Sequence, residues 1–369
     1  MEVLAFCSFP IEAASTRYRL VQYVKPLAER GINLTIFPFL DSSKFSVYFQ
    51  GRITPGKTLG LLKPTVNRFL ESFSAKKFDV VLIQREAMMF GPPIFEWLAK
   101  TFGKCPLILD LDDATYVPYV SKTFGYLGQT LKFFGKTDTL IGWSNAVLCG
   151  NRFIAEYVEK KGGKAIVVPT VVDTDIFCPA ARENKNQLTL GWIGTHSSFH
   201  SLESIFPVIR DLKKKYDFRL KIVGAGKKNI AIKGVEIENI EWNLEREVKD
   251  FQSLDIGLYP IEISSWIPRE FVLGKSGFKA IEYMAVGIPF VVTPIGVCAE
   301  IGVENETHFS ASKPKDWYKS LEILLQSESK RRKMGKNGRR FSLENYTVPQ
   351  QTNAIAKVLF EIKKTKNNI

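Results

Sequence analysis

Short apolar runs rich in β-branched residues recur along this chain, each followed by a stretch of helical spacing. In the first half they are EVLAFC, NLTIFPF, DVVLIQ, PLILDLD, AVLCG and AIVVP. In the second half they are LTLGWIG, RLKIVGAG, VEIE, IGLYP and PFVVT. Strands apolar on both faces, separated by helices, are the pattern of parallel sheets built from βαβ units. The series breaks after Pro169, where VVDTDIFCPAARENKNQ is polar and proline-bearing, and resumes at Leu188. An α/β chain of two Rossmann-like domains is expected: residues 1–177, a linker 178–187 and residues 188–345. A lysine-rich helix over 346–369 should return to the first domain. Ligands of such sheets lie beyond the carboxyl ends of the strands, and two facing domains add a cleft.

The 369 residues suit two domains, and 45% hydrophobic with 24% charged content gives each half a core. Cys7, Cys105, Cys149, Cys178 and Cys298 are scattered and form no CxxC pair. That spacing argues for reduced thiols in a cytoplasmic protein, against a disulfide scaffold or zinc site. With three histidines, His-rich metal chemistry is not expected. MEVLAFCSFPIEAAS lacks a basic leader and reads as a first strand. No apolar run approaches the roughly 18–20 residues of a membrane span.

The net charge of +13 implies an anionic partner. Lys44–Phe69 carries five basic residues and no acid, and Tyr119–Lys136 is likewise basic, aromatic and acid-free. Interleaved cations and aromatics suit the surface of an anionic membrane, here the inner face of the cell membrane. No nucleic-acid module is recognised, and nucleic acid is not an expected partner.

GKSGFKAIEYMAVGIP, residues 274–289, carries the sharpest chemistry. It is no P-loop, because the position five before Gly274 holds Arg269 and the run between lacks small residues. A helix opening near Ser276 would put Lys275 at its mouth, where unpaired N–H groups and the dipole favour a phosphate. Glu282, seven residues on, would point from nearly the same face and could accept both hydroxyls of a ribose. The plain alternative makes Glu282 a surface ion-pair partner of Lys279.

With the Gly287–Pro289 turn and the strand after it, this run resembles the nucleotide-binding signature of retaining family 4 glycosyltransferases. That family has the GT-B fold of two facing Rossmann-like domains. Its usual signature has two glutamates separated by seven residues before "AMA.G.PVV"; Glu282 matches the second, whereas Gly274 stands at the first. The chain looks like a branch with "GK.GFK" there, and Glu270 is a candidate substitute for the missing carboxylate. The resemblance implies a nucleotide-diphosphate-sugar donor held by Gly194, Thr195, His196, Gly224, Lys275, Ser276, Gly277, Phe278 and Glu282. LTLGWIGTHSSFHSLESI resembles the family's first C-domain strand, with Gly191 and Gly194 meeting the diphosphate, and IVGAG resembles the border of the nucleobase. His196 as a ligand contact competes with a helix-cap role.

The same resemblance puts Ser15, Arg17 and Arg19 where the acceptor loop lies, with Arg85 and Glu86 at another strand end. LILDLDDATY brings Asp110, Asp112 and Asp113 to a third, and Asp113 is the choice for contact with the transferred sugar. PTVVDTDIF resembles the family's domain junction, with Thr170 in place of its asparagine. The implied catalytic set is Asp113, Lys275 and Glu282, with no metal, no cofactor and no protein nucleophile. The acceptor would be a glycan, a lipid-linked molecule or a protein. A nucleotide-sugar epimerase of the same fold and a non-catalytic nucleotide-sugar binder are the alternatives.

Overall fold

A computed structural model describes residues 1–49, 59–118, 129–181, 187–263 and 267–366. The chain divides into two compact units. The first is Met1–Thr170 with Ser264–Ser276 and Val348–Ile369; the second is Val171–Ile263 with Gly277–Thr347.

The first unit holds β1 (Glu2–Cys7), β2 (Asn33–Pro38), β3 (Val80–Gln84), β4 (Leu107–Leu111), β5 (Ala146–Cys149) and β6 (Ala165–Val167). They form one parallel sheet in the order β2-β1-β3-β4-β5-β6. Every residue of β3, β4 and β5 is buried, which explains why these runs read as unbroken apolar stretches. Phe95 and Leu98 of helix Ile94–Gly103 join this core, as do Ile154 and Val158 of helix Arg152–Lys160. The second of these helices is opened by Asn151, whose side chain accepts the Ile154 N–H at 2.9 Å. The last helix, Val348–Lys366, belongs to this unit, as the lysine-rich tail suggested. Lys363 Nζ lies 2.8 Å from Asp79, and Arg30 Nη2 donates to Asn353 Oδ1 at 2.7 Å.

The second unit holds β7 (Leu188–Ile193), β8 (Phe218–Val223), β9 (Glu236–Ile240), β10 (Ile256–Tyr259), β11 (Phe290–Val292) and β12 (Phe309–Ser310). Their order is β12-β11-β10-β7-β8-β9, again parallel. The two-residue β12 was not legible as an apolar run. It is recruited by register, Val291 opposite Phe309 and Val292 opposite Ser310.

Both sheets have a point where neighbouring strands send their connections to opposite sides. It lies between β1 and β3 in the first sheet and between β7 and β10 in the second. Ligand sites of open α/β sheets concentrate there.

Candidate functional site

In the second unit, β7 and β8 end side by side at Gly194 and Gly224. Gly194 N–H donates to Val223 O and Gly224 N–H to Ile240 O, each at 3.0 Å. Gly224 has φ +79°, and a Cβ on it would stand 2.2 Å from Gly194 O, so only glycine fits. Thr195 and His196 follow, both exposed, with Thr195 Oγ1 2.8 Å from Ser197 Oγ. The next helix starts only at Phe199, so His196 is not its cap. Across the switch point, β10 ends at Tyr259, and Thr293 Oγ1 accepts the Ile261 N–H at 3.0 Å. Sequence reasoning missed Tyr259 and Thr293; the signal was that both close an apolar run.

The helix carrying Glu282 is pinned at this switch point. The Tyr283 hydroxyl lies 3.2 Å from both Gly191 O and Leu258 O, beneath β7 and β10. Glu282 is 4% exposed and is therefore no surface residue. The helix runs Phe278–Ala285 and does not open near Ser276 as expected. The reason is Gly277, whose left-handed φ of 64° ends any helical path before Phe278. Phe278 and Ser276 are half-buried.

Lys275 falls in the preceding turn, its N–H on Val272 O at 3.2 Å. It is half-buried, with Nζ 5.0 Å from the Phe271 ring centroid, and among the described residues it has no ion pair. Asn151 holds this turn, its Nδ2 donating to Gly274 O and Lys275 O at 3.1 Å each. The sequence hint to Asn151 was an asparagine at a strand-to-helix junction.

Gly274 leaves no room for a side chain. A Cβ there would lie 2.2 Å from Ala114 Cβ and 3.0 Å from Ala114 N. Any side chain would push on the loop that carries Asp113. Gly274→Ala is expected to cost about 1–3 kcal/mol, lowering the melting temperature by about 2–6 °C. Pairing it with Ala114→Gly should restore much of the loss. A melt of Gly274→Ala equal to wild type would show that the loop has room.

At the carboxyl ends of β3 and β4 lies a charged cluster. Arg85 has φ 62°, and its Nη2 stands 2.6 Å from Asp112 Oδ2 and 2.7 Å from Asp113 Oδ2. Burial alone would lift the Asp112 carboxyl, but the charge and hydrogen bonds of Arg85, with Arg19 behind, hold it below its ordinary value. The Asp113 side chain, 27% exposed, is the one most open to a ligand; those of Asp110 and Asp112 are buried.

Two expectations for the acceptor side are corrected. Arg19 is buried, with Nε 3.0 Å from Asp110 Oδ2 and Nη1 donating to Val168 O at 2.6 Å, so its donors are committed inward. Glu86 is buried too, with Lys136 Nζ 2.7 Å from its carboxylate, and the lysine is itself buried. Ser15 and Arg17 remain half-buried on helix Ala14–Arg19, and Arg17 Nη1 donates to Ile11 O at 3.2 Å. Glu270 is exposed and borders a cavity of about 530 Å³ with Tyr116, Phe153, Tyr157 and Lys160. The rings of Tyr116 and Tyr157 stack with centroids 3.7 Å apart. Parts of the two basic aromatic segments, residues 50–58 and 119–128, lie outside the described residues, as do 182–186 of the linker. Among the described residues no helix is long and apolar enough to cross a membrane.

Comparison with known proteins bears on the whole arrangement. A glycosyltransferase from Rickettsia africae superposes with a TM-score of 0.69 at 14% identity, covering 98% of each chain. HepE of Anabaena, solved in complex with UDP-glucose, gives 0.70 at 12% identity, covering 98% of this chain and all of that one (100%). The fold is GT-B. At such identities the likeness is one of fold. Residues 263–341 of this GT-B chain match the family model "Glycosyl transferases group 1", which supports the glycosyltransferase resemblance. An uncharacterized glycosyltransferase of Methanocaldococcus jannaschii is 25% identical over 210 residues, 54% of this chain and 55% of that protein. The chain thus spans about half the length of the curated relative it matches.

Proposed function

We propose that this GT-B chain is a retaining glycosyltransferase that moves a sugar from a nucleotide diphosphate to a glycan, lipid-linked or protein acceptor. The observation that carries the reading is the segment 274–285, where a left-handed Gly277 opens a helix pinned by Tyr283 at the switch point, with Glu282 buried on it. In this reading Gly194, Thr195, His196 and Gly224 approach the nucleotide, and Glu282 accepts the ribose hydroxyls. Lys275 meets the diphosphate, aided by Ser276, by the N–H groups at Gly277 and Phe278, and by Arg269. Asp113 meets the transferred sugar. Arg85 then serves chiefly to hold Asp113 in place, leaving Ser15 and Arg17 as acceptor contacts.

The chemistry asked of the protein is electrostatic. As the bond from the anomeric carbon to the phosphate oxygen lengthens, negative charge grows on the leaving phosphate, and Lys275 with the helix N–H groups stabilises it. The acceptor hydroxyl attacks from the face the phosphate leaves and gives its proton to the departing phosphate oxygen, so configuration is kept without a protein nucleophile. Cationic side chains and amides carry the phosphate charge, and no metal is called for. Contact with an anionic membrane through 44–69 and 119–136 belongs to the same reading.

HepE was solved with UDP-glucose, so UDP leads the panel of a calorimetric titration with UDP, GDP, ADP and CMP, each with and without magnesium. One nucleotide should bind in the micromolar range regardless of magnesium. Glu282→Ala should weaken that binding about 10- to 100-fold, the worth of hydrogen bonds to a charged acceptor. Wild-type affinity in Glu282→Ala, or no binding of any nucleotide, would remove the reading.

A further inference from the structure

Helix Leu62–Ser74 has its faces reversed. Its buried positions are Pro64, Arg68 and Ser72, while Leu62, Val66, Phe69 and Leu70 are 63%, 57%, 46% and 62% exposed. A surface helix ordinarily turns its apolar stripe to the core. Here Arg68 prevents that. It is fully buried, with Nη2 donating to Cys7 O at 3.1 Å and Phe37 O at 2.7 Å, at the carboxyl ends of β1 and β2. Its guanidinium also lies 4.4 Å from the Phe6 ring centroid, and Ser72 Oγ donates to Arg68 O at 2.8 Å. The polar face is thereby locked inward and the apolar face outward.

The outward face continues onto helix Ile94–Gly103. Ring centroids run from Phe69 to Phe73 at 5.0 Å and on to Phe102 at 4.8 Å, and Phe102 is 47% exposed. Trp97 on the same helix is 48% exposed. Exposed charge on and just beyond these two helices is positive: Lys63, Lys76, Lys77, Lys100 and Lys104. The acids of the two helices turn away. Glu71 is half-buried with its carboxylate 3.5 Å from Arg68 Nη1, and Glu96 is buried and accepts the Ala87 N–H at 2.8 Å.

We infer that this face docks on an anionic lipid bilayer. Apolar side chains at the boundary between headgroups and acyl chains, ringed by lysines at headgroup level, are what such a surface selects. A second copy of the chain would set two cationic rims against each other, an unfavourable pairing that anionic headgroups avoid. The inference deepens the membrane part of the proposed reading and does not depend on its catalytic part.

Co-sedimentation of the full chain with vesicles tests it directly. Vesicles of phosphatidylcholine with one quarter phosphatidylglycerol should bind the protein, pure phosphatidylcholine vesicles much less, and salt should weaken the binding. Val66→Glu/Leu70→Glu should lower partitioning roughly 100-fold, and Lys63→Gln/Lys100→Gln roughly 10-fold. All four side chains are exposed, so thermal melts should match wild type, and nucleotide titration of the same variants reads the catalytic proposal separately. Three results would overturn the inference: no binding to the anionic vesicles, undiminished binding by Val66→Glu/Leu70→Glu, or a wild-type dimer that this variant splits while vesicle binding is absent.

Discussion

Lys275→Ala is expected to lower kcat/KM for sugar transfer by about 10²- to 10³-fold while leaving the fold intact. The estimate is that for removing one preorganised charge from a developing oxyanion. In the proposed reading this side chain moves to meet its phosphate. Its Nζ rests 5.0 Å from the Phe271 ring, a contact worth roughly 0.5–1 kcal/mol when partly exposed, and among the described residues it has no ion pair to break. Moving onto a phosphate therefore exchanges a weak contact for charge-assisted hydrogen bonds. The backbone bonds of residue 275, to Val272 O and from Asn151, do not involve the side chain. The melting temperature should accordingly stay within about 2 °C of wild type. Lys275→Arg should recover part of the rate, because charge without the same reach is retained. The decisive measurement is steady-state transfer with UDP-glucose, or with the donor the titration selects. Turnover by Lys275→Ala at the wild-type rate would take the lysine out of the mechanism.

The fold was legible because parallel strands buried on both faces leave an unmistakable trace. VVLIQ and AVLC in the first half and LTLGWI in the second became strands essentially where the apolar runs stood. What escaped was set by distant partners. β12 exists because β11 offers it an edge, not because Phe309–Ser310 demands a strand. The helix start was misplaced by two residues because a glycine, seen in sequence, does not reveal that its φ is positive. At the site, glycines and polar residues closing strands were visible one at a time, but strand adjacency was not. Tyr259 and Thr293 come to the same edge of the sheet as the end of β7 only once β10 pairs β7 and β11. Gly274 was seen as a departure from a pattern; Ala114, which leaves no room for a side chain there, lies on a different segment of the unit. Arg17 and Arg19 look alike in AASTRYR, yet one is half-buried and the other is enclosed by groups that tertiary structure supplies.

That enclosure predicts the largest stability effect in the chain. Arg19 joins helix Ala14–Arg19 to Asp110 on β4 and to Val168 O beyond β6, so one guanidinium ties three segments of the first unit. Removing one member of a buried pair leaves a charge with neither water nor partner, a loss of about 3–5 kcal/mol. Arg19→Ala and Asp110→Ala should each show it in urea denaturation at pH 7. The double variant Arg19→Met/Asp110→Leu should be more stable than either, because apolar replacement of both removes the desolvation cost as well as the attraction. The pH dependence separates this account from simple loss of packing. Burial lifts the Asp110 carboxyl above its ordinary value even with Arg19 beside it. Without Arg19 burial acts with less opposition, so the Asp110 carboxyl of the folded chain is lifted further above that of the unfolded chain, which has a carboxyl pKa of about 3.9. The destabilisation of Arg19→Ala is then greatest at neutral pH and shrinks as the pH falls toward 4, since lowering the pH favours the state that binds more protons. A gap to wild type that stays constant from pH 7 down to pH 4 would mean that Arg19 stabilises through its packing against the strand ends, with the charge of Asp110 playing no part.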